Sequence, residues 1–194
     1  MELFRNIAGI AAGVLSLLVF VPYVRAVLRG EAKPARSTWI IWSFVTLLLL
    51  TSYYEVGGGA ANWISLADFL AAAAISILSI KYGLGGWSRL DKICFAGCGL
   101  AVLVWYATGS ALIALCATVF IDALGATATI VKTYHHPEHE SALAWGIAFC
   151  GNSINLFAIG IWDVTHILYP LYMVLMSGTI LALTRRMVQK TNAR

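Results

Sequence analysis

The densest chemistry in this sequence is YHHPEHE (134–140), which packs three histidines and two glutamates into seven residues. Zinc and related transition metals take imidazole nitrogen and carboxylate oxygen as donors. His135, His136 and His139, with Glu138 and Glu140, would be the ligands of a metal alternative. The stretch aligns, however, with EAKPAR (31–36), a connector with no ligands, so no metal site is expected. The remaining histidine, His166, falls on the other side of the predicted layout, so no second loop supplies a partner. A more dispersed set lies within apolar runs: Asp68, Asp122, Asn152, Asn155, Tyr169, Tyr172, Trp42 and Trp145.

An Asp near the centre of a membrane helix costs about 2.5–3.5 kcal/mol on insertion scales, so an intramembrane carboxylate is by default a functional candidate. Asp68 and Asp122 fit two uses, proton coupling or direct binding of a cationic or hydroxyl-rich solute. The plain alternative is a structural acid bonded to a neighbouring helix. The carboxamides of Asn152 and Asn155 offer donors and acceptors suited to sugars, nucleoside-like solutes or amides, and they serve equally well to tie helices together. Trp42 and Trp145 could stack on a ring, close an inner gate, or sit in an interfacial aromatic belt.

These residues fall on seams. Ser65, Asp68, Ala72, Ser76 and Ser79 recur at spacings of three and four, as do Thr118, Asp122, Gly125 and Thr129. Trp145, Ala148, Asn152 and Asn155 form a third seam, and Tyr169, Tyr172, Met176 and Thr179 a fourth. Residues at that spacing share one helical face, and polar faces in a membrane point into the bundle. Pro22 and Pro170 each remove a backbone donor and bend their helices, which makes them candidate hinges.

The elements that carry the seams follow from composition. The 194-residue chain is 60% hydrophobic and only 11% charged, against about 25% charged in soluble domains. Apolar runs near 6–26, 38–56, 63–80, 92–108, 111–131, 142–161 and 165–184 approach the ~20 residues needed to cross a bilayer. The expected fold class is an all-α membrane protein with seven transmembrane helices and no room for a soluble domain. The first run lacks the short core and cleavage site of a signal peptide and reads as a true span. Cys94, Cys98, Cys116 and Cys150 all fall inside runs, which argues against a disulfide framework. EVGGGAAN (55–62) reads as an outer loop without the helix-opening context of a phosphate-binding motif.

Of the 13 basic residues, only Arg5 lies on the side of the N-terminus. The positive-inside rule therefore puts the N-terminus outside and the C-terminus in the cytoplasm. The net charge of +4 is a topology signal; no basic surface cluster suggests a nucleic-acid partner. The partners expected are the lipid bilayer and a small-molecule solute, with a homo-oligomer left open. No cofactor is expected.

An internal repeat organises the runs. VLRGEAKPARSTWIIWSF (27–44) placed on IVKTYHHPEHESALAWGI (130–147) sets Arg29 on Lys132, Pro34 on Pro137 and Trp42 on Trp145. Residues 1–83 then form a first three-helix repeat, 84–109 a linker helix, and 110–194 a second three-helix repeat with a cytoplasmic tail. The linker restores the direction of the second copy, so the two repeats run parallel (3+1+3) and would enclose a cavity.

With this layout the chain resembles the SWEET/PQ-loop (MtN3-like) superfamily of small membrane transporters. Pro22-Tyr23 sits where that family has its Pro-Gln pair, and PARST (34–38) resembles its basic-Ser-Thr loop. The second repeat departs, with Gly125-Ala126 in place of the pair and PEHES in place of the loop. STWIIW (37–42) and YPLY (169–172) resemble an uncharacterised bacterial branch. The resemblance implies a non-enzymatic transporter in a bacterial inner membrane, moving a small polar solute by alternating access through a cavity between the repeats, with proton coupling open. The alternatives are a membrane metal-binding sensor or metalloenzyme using the 135–140 loop, and a non-transporting receptor or subunit.

Overall fold

The computed structural model of the chain describes residues 2–55, 61–84, 88–109, 111–160 and 162–192. Helix accounts for 86% of the structure and no strand occurs among the described residues, so the all-α expectation holds. The helices are α1 (Glu2–Leu18), α2 (Phe20–Leu28), α3 (Arg36–Glu55), α4 (Ala61–Tyr82), α5 (Arg89–Thr108), α6 (Ala111–His135), α7 (Ala142–Leu156) and α8 (Val164–Asn192). A 3-10 turn, Pro137–His139, joins α6 to α7. The glycine-rich stretch read as an outer loop lies outside the described residues over 56–60.

Among the described residues four segments are long and apolar enough to cross a bilayer: Glu2–Leu28, Arg89–Thr108, Cys116–His135 and Ile167–Arg185. The distribution of side chains points the same way. Ile10 and Ile77 are each 69% exposed, whereas Thr38, Ser79 and Ser177 are completely buried. Water drives large apolar side chains inward; a lipid solvent removes that drive and leaves the polar groups to find partners inside. The chain is built as a membrane protein.

By packing, the chain divides into two compact units, residues 1–32 with 130–194 and residues 33–129. This is a division by contact, distinct from the division by sequence repeat.

In the first unit, α1 packs on α7 through small residues. Ala8 and Ala12 are buried, and a Cβ added to Gly151 of α7 would come within 3.1 Å of Leu15 Cβ. Gly178 of α8 likewise lies against the Phe149 ring. Close backbone approach of this kind is how membrane helices gain packing energy. Between α1 and α2, Val19 keeps helical angles and its bonds to Leu15 and from Tyr23. The ladder of helical bonds is interrupted only next to it, at the Leu18 carbonyl. The cause is Pro22, which has no N–H to give to the Leu18 carbonyl one turn earlier. Pro170, by contrast, sits inside an unbroken α8.

The helix α7 is shorter than the apolar run that encodes it. It has 15 residues and ends at Leu156. The chain then tightens, with Phe157, Ala158 and Ile159 donating three residues back to Ile154, Asn155 and Leu156. Such 3-10 bonds satisfy carbonyls that a helix end leaves open.

The second unit holds α3, α4, α5 and the first part of α6. Its core joins Ile41 and Val45 of α3 to Cys94 and Cys98 of α5 and to Ala117 and Ile121 of α6. The α5 helix starts on a reciprocal cap. Ser88 donates its N–H and hydroxyl to Asp91 at 2.8 Å, while Asp91 N–H donates back to Ser88 Oγ at 3.2 Å. The other oxygen of Asp91 accepts from Ser37 at the start of α3. Arg36 reaches α4, donating to the carbonyls of Ser79 (3.0 Å) and Ile80 (3.1 Å), which closes the C-terminal end of that helix.

Candidate functional site

In the first unit, Glu140 turns away from the histidines that flank it. Its side chain is fully buried, and that of Lys132 is only 8% exposed. The Lys132 ammonium pairs with Glu140 Oε1, and Tyr23 donates its hydroxyl to the same oxygen at 3.2 Å. Trp145 donates its indole N–H to Oε2 at 2.9 Å. Lys132 also donates to the His139 carbonyl at 3.4 Å. Four segments supply this cluster: α2, the last turns of α6, the 3-10 turn and the start of α7. A buried carboxylate is tolerable only when paired and hydrogen-bonded, and here both oxygens are engaged. Glu140, which entered the sequence reading only through the metal alternative, is a structural carboxylate. Tyr23, which entered through the resemblance, is one of its donors.

The histidines divide. His136 and His139 stack with ring centroids 5.3 Å apart and 28° between planes. Glu138 Oε1 lies 3.3 Å from His136 Nδ1 and 4.0 Å from His139 Nε2. The donor atoms of these three residues all fall within 4.8 Å of one another. A hydrogen bond from its own backbone N–H, helped by His136, holds Glu138 below the usual carboxylate range. His135 stands apart, edge-on to Tyr134 at 5.2 Å.

The candidates read from the apolar runs fall into both units. In the second, Asp122 is 5% exposed on α6. One turn on, the Gly125 carbonyl accepts from Thr38 at 2.6 Å, and Thr38 accepts from Thr129 at 2.9 Å. Trp42 lies directly over Gly125, where a Cβ would come within 3.1 Å of its indole nitrogen, and meets Trp39 edge-on at 5.2 Å. The α4 helix holds Asp68, whose Oδ1 is buried without a hydrogen-bond partner among the described residues. Two helices of one packing unit thus each carry a carboxylate, Asp122 buried and Asp68 half-buried.

In the first unit, Asn152 donates to the Met173 carbonyl (3.3 Å) and to Ser177 Oγ (3.2 Å), which ties α7 to α8. Its carboxamide nitrogen is therefore committed to holding helices. Asn155 is half-buried. Tyr169 and Tyr172 lie 6.2 Å apart on α8 with tilted rings. The seam on α8 departs from expectation at its end: Met176 is buried, but Thr179 is exposed and bonds back to its own helix at Leu175.

No family model, no curated protein and no solved structure matches this chain. The reading of its function therefore stands on these residues. Sequence reasoning singled out Trp145, but missed Lys132 and Tyr23 as the other partners of Glu140. The signal available was the basic residue eight positions before Glu140, across a turn that brings the two together.

Proposed function

We propose that the chain is an integral membrane transporter that moves a small polar solute by alternating access. The observation that carries the reading is Asp122, a carboxylate at 5% exposure inside a segment long and apolar enough to span a bilayer. An intramembrane carboxylate is costly, and such residues mark solute or ion pathways. Asp68 supports it, with one buried oxygen that no described residue occupies. In this reading Asp68 and Asp122 bind the solute or exchange protons, while Trp42 contributes a stacking surface.

The finer parts of the proposal are a parallel 3+1+3 repeat, kinship with the SWEET/PQ-loop transporters, an outside N-terminus and a bacterial inner membrane. The shared punctuation of 27–44 and 130–147, the one-sided distribution of basic residues and the residues of the resemblance support these.

Uptake of labelled sugars, nucleosides, amides and amines into proteoliposomes tests the reading. Flux above that of protein-free vesicles is expected for at least one class, and Asp122→Asn is expected to flatten its pH dependence. PH-dependent flux that is unchanged in Asp122→Asn removes the proton role from that residue. No flux and no solute-induced stabilisation across the panel would count against transport itself.

A further inference from the structure

The turn between α6 and α7 holds a group of side chains that transport does not use. Residues 136–139 read His-Pro-Glu-His, a 3-10 turn over Pro137–His139 with His136 at its N-cap. A 3-10 helix has three residues per turn, so positions i and i+3 eclipse. His136 caps this turn, its carbonyl accepts from His139 N–H at 3.0 Å, and the two rings stack 5.3 Å apart. Glu138 leans towards both, 3.3 Å from one imidazole nitrogen and 4.0 Å from the other.

The turn is braced from both sides. Pro137 fixes its own backbone angle, and His139 N–H donates to the His136 carbonyl at 3.0 Å. Glu140 N–H donates to the Pro137 carbonyl at 3.3 Å, and Lys132 holds the His139 carbonyl from below at 3.4 Å. Because Glu140 is anchored in the buried cluster, the backbone that presents the three donors is anchored with it.

We propose that His136, Glu138 and His139 form a binding site for one divalent transition-metal ion of the zinc class. Two imidazoles and a carboxylate are a donor set zinc takes. Tetrahedral bonds of about 2.0–2.1 Å set donors roughly 3.3–3.4 Å apart. The His136–Glu138 pair already meets that spacing, and the widest separation, within 4.8 Å, closes by rotation of the exposed His136 and Glu138 side chains towards the half-buried His139. Three protein ligands leave a fourth position open to water or an incoming donor. His135, turned onto Tyr134, takes no part.

The site is tested on the purified full-length protein in detergent, stripped with chelator. Cobalt(II), as a spectroscopic stand-in, is titrated while its visible absorption is followed, and zinc is then added in competition. One ion per chain is expected, with tetrahedral cobalt bands displaced by zinc. The double variant His136→Gln/His139→Gln is expected to lose the bands, Glu138→Gln to weaken binding, and His135→Gln to leave it intact. Binding without fixed stoichiometry, or equal in wild type and double variant, would mean adventitious surface binding only and overturn the proposal. So would loss in His135→Gln equal to that in the double variant. Thermal melts establish folding. Should the double variant not fold, Glu138→Gln and the single His136→Gln decide the matter, and unweakened binding in both overturns the site.

Discussion

At Glu140 a lysine, a tyrosine and a tryptophan converge on one carboxylate that has no access to solvent. The energetic consequence is asymmetric. Removing one charge strands the other in a low-dielectric site, a loss of about 3–5 kcal/mol, whereas replacing both by apolar groups of similar size is often nearly neutral. Lys132→Met alone is therefore expected to destabilise the protein strongly, and the double variant Lys132→Met/Glu140→Leu to recover most of that loss. Equilibrium unfolding in detergent of both variants beside wild type checks this; losses that simply add would contradict it. This arrangement was hidden in the sequence for a physical reason. Tyr23 lies 117 positions from Glu140, and Glu140 stands beside histidines that advertise a different chemistry. The repeat alignment marked Lys132 and Trp145 by position, without indicating that both attend the same anion.

Among the helices, the break in the hydrogen-bond ladder at Pro22 is the feature most directly written in the sequence. Pro22 leaves the Leu18 carbonyl without its helical donor, and in hydrocarbon no water replaces it. Pro22→Ala restores that bond and is expected to stabilise the protein, by up to about 3 kcal/mol on the soluble-helix scale. If the break serves as a hinge, the same variant is expected to slow flux. Unfolding and transport rates measured together test both, and a faster, less stable variant would contradict them. Other boundaries were less legible. The apolar run that encodes α7 continues past Leu156, and hydropathy carries no mark of the 3-10 turns at 157–159 that end it. Asn152 had two readings of equal standing, and its bonds to Met173 and Ser177 favour the one in which it ties helices. A polar seam says which face turns inward; it does not say whether that face meets a solute or another helix. Thr179, exposed and bonded to its own backbone, shows a seam ending before its pattern does.

At the scale of the molecule, the described side chains are distributed as in a protein in lipid, with large apolar residues such as Ile10 and Ile77 exposed and Thr38, Ser79 and Ser177 buried. Composition alone made this legible, because a chain with 11% charged residues has few alternatives. The division into two packing units was not legible, since it depends on contacts between helices far apart in sequence. The one-sided distribution of basic residues predicts the orientation. Single cysteines introduced at the N-terminus and near the C-terminus of a cysteine-free variant, expressed in bacterial cells, are expected to differ in labelling. A membrane-impermeant maleimide should reach the N-terminal site in intact cells and the C-terminal site only after lysis; the reverse pattern contradicts the orientation.

The transport proposal meets its most direct test in solute counterflow. Proteoliposomes loaded with unlabelled solute from each class of the panel are diluted into a trace of the same solute carrying label. A carrier that alternates its access returns labelled solute inward as unlabelled solute leaves, so the account predicts a transient accumulation above equilibrium for at least one class. The overshoot should be lost in the double variant Asp68→Asn/Asp122→Asn. Equilibration without overshoot for every class, or an overshoot the double variant leaves untouched, would contradict alternating access through these two carboxylates.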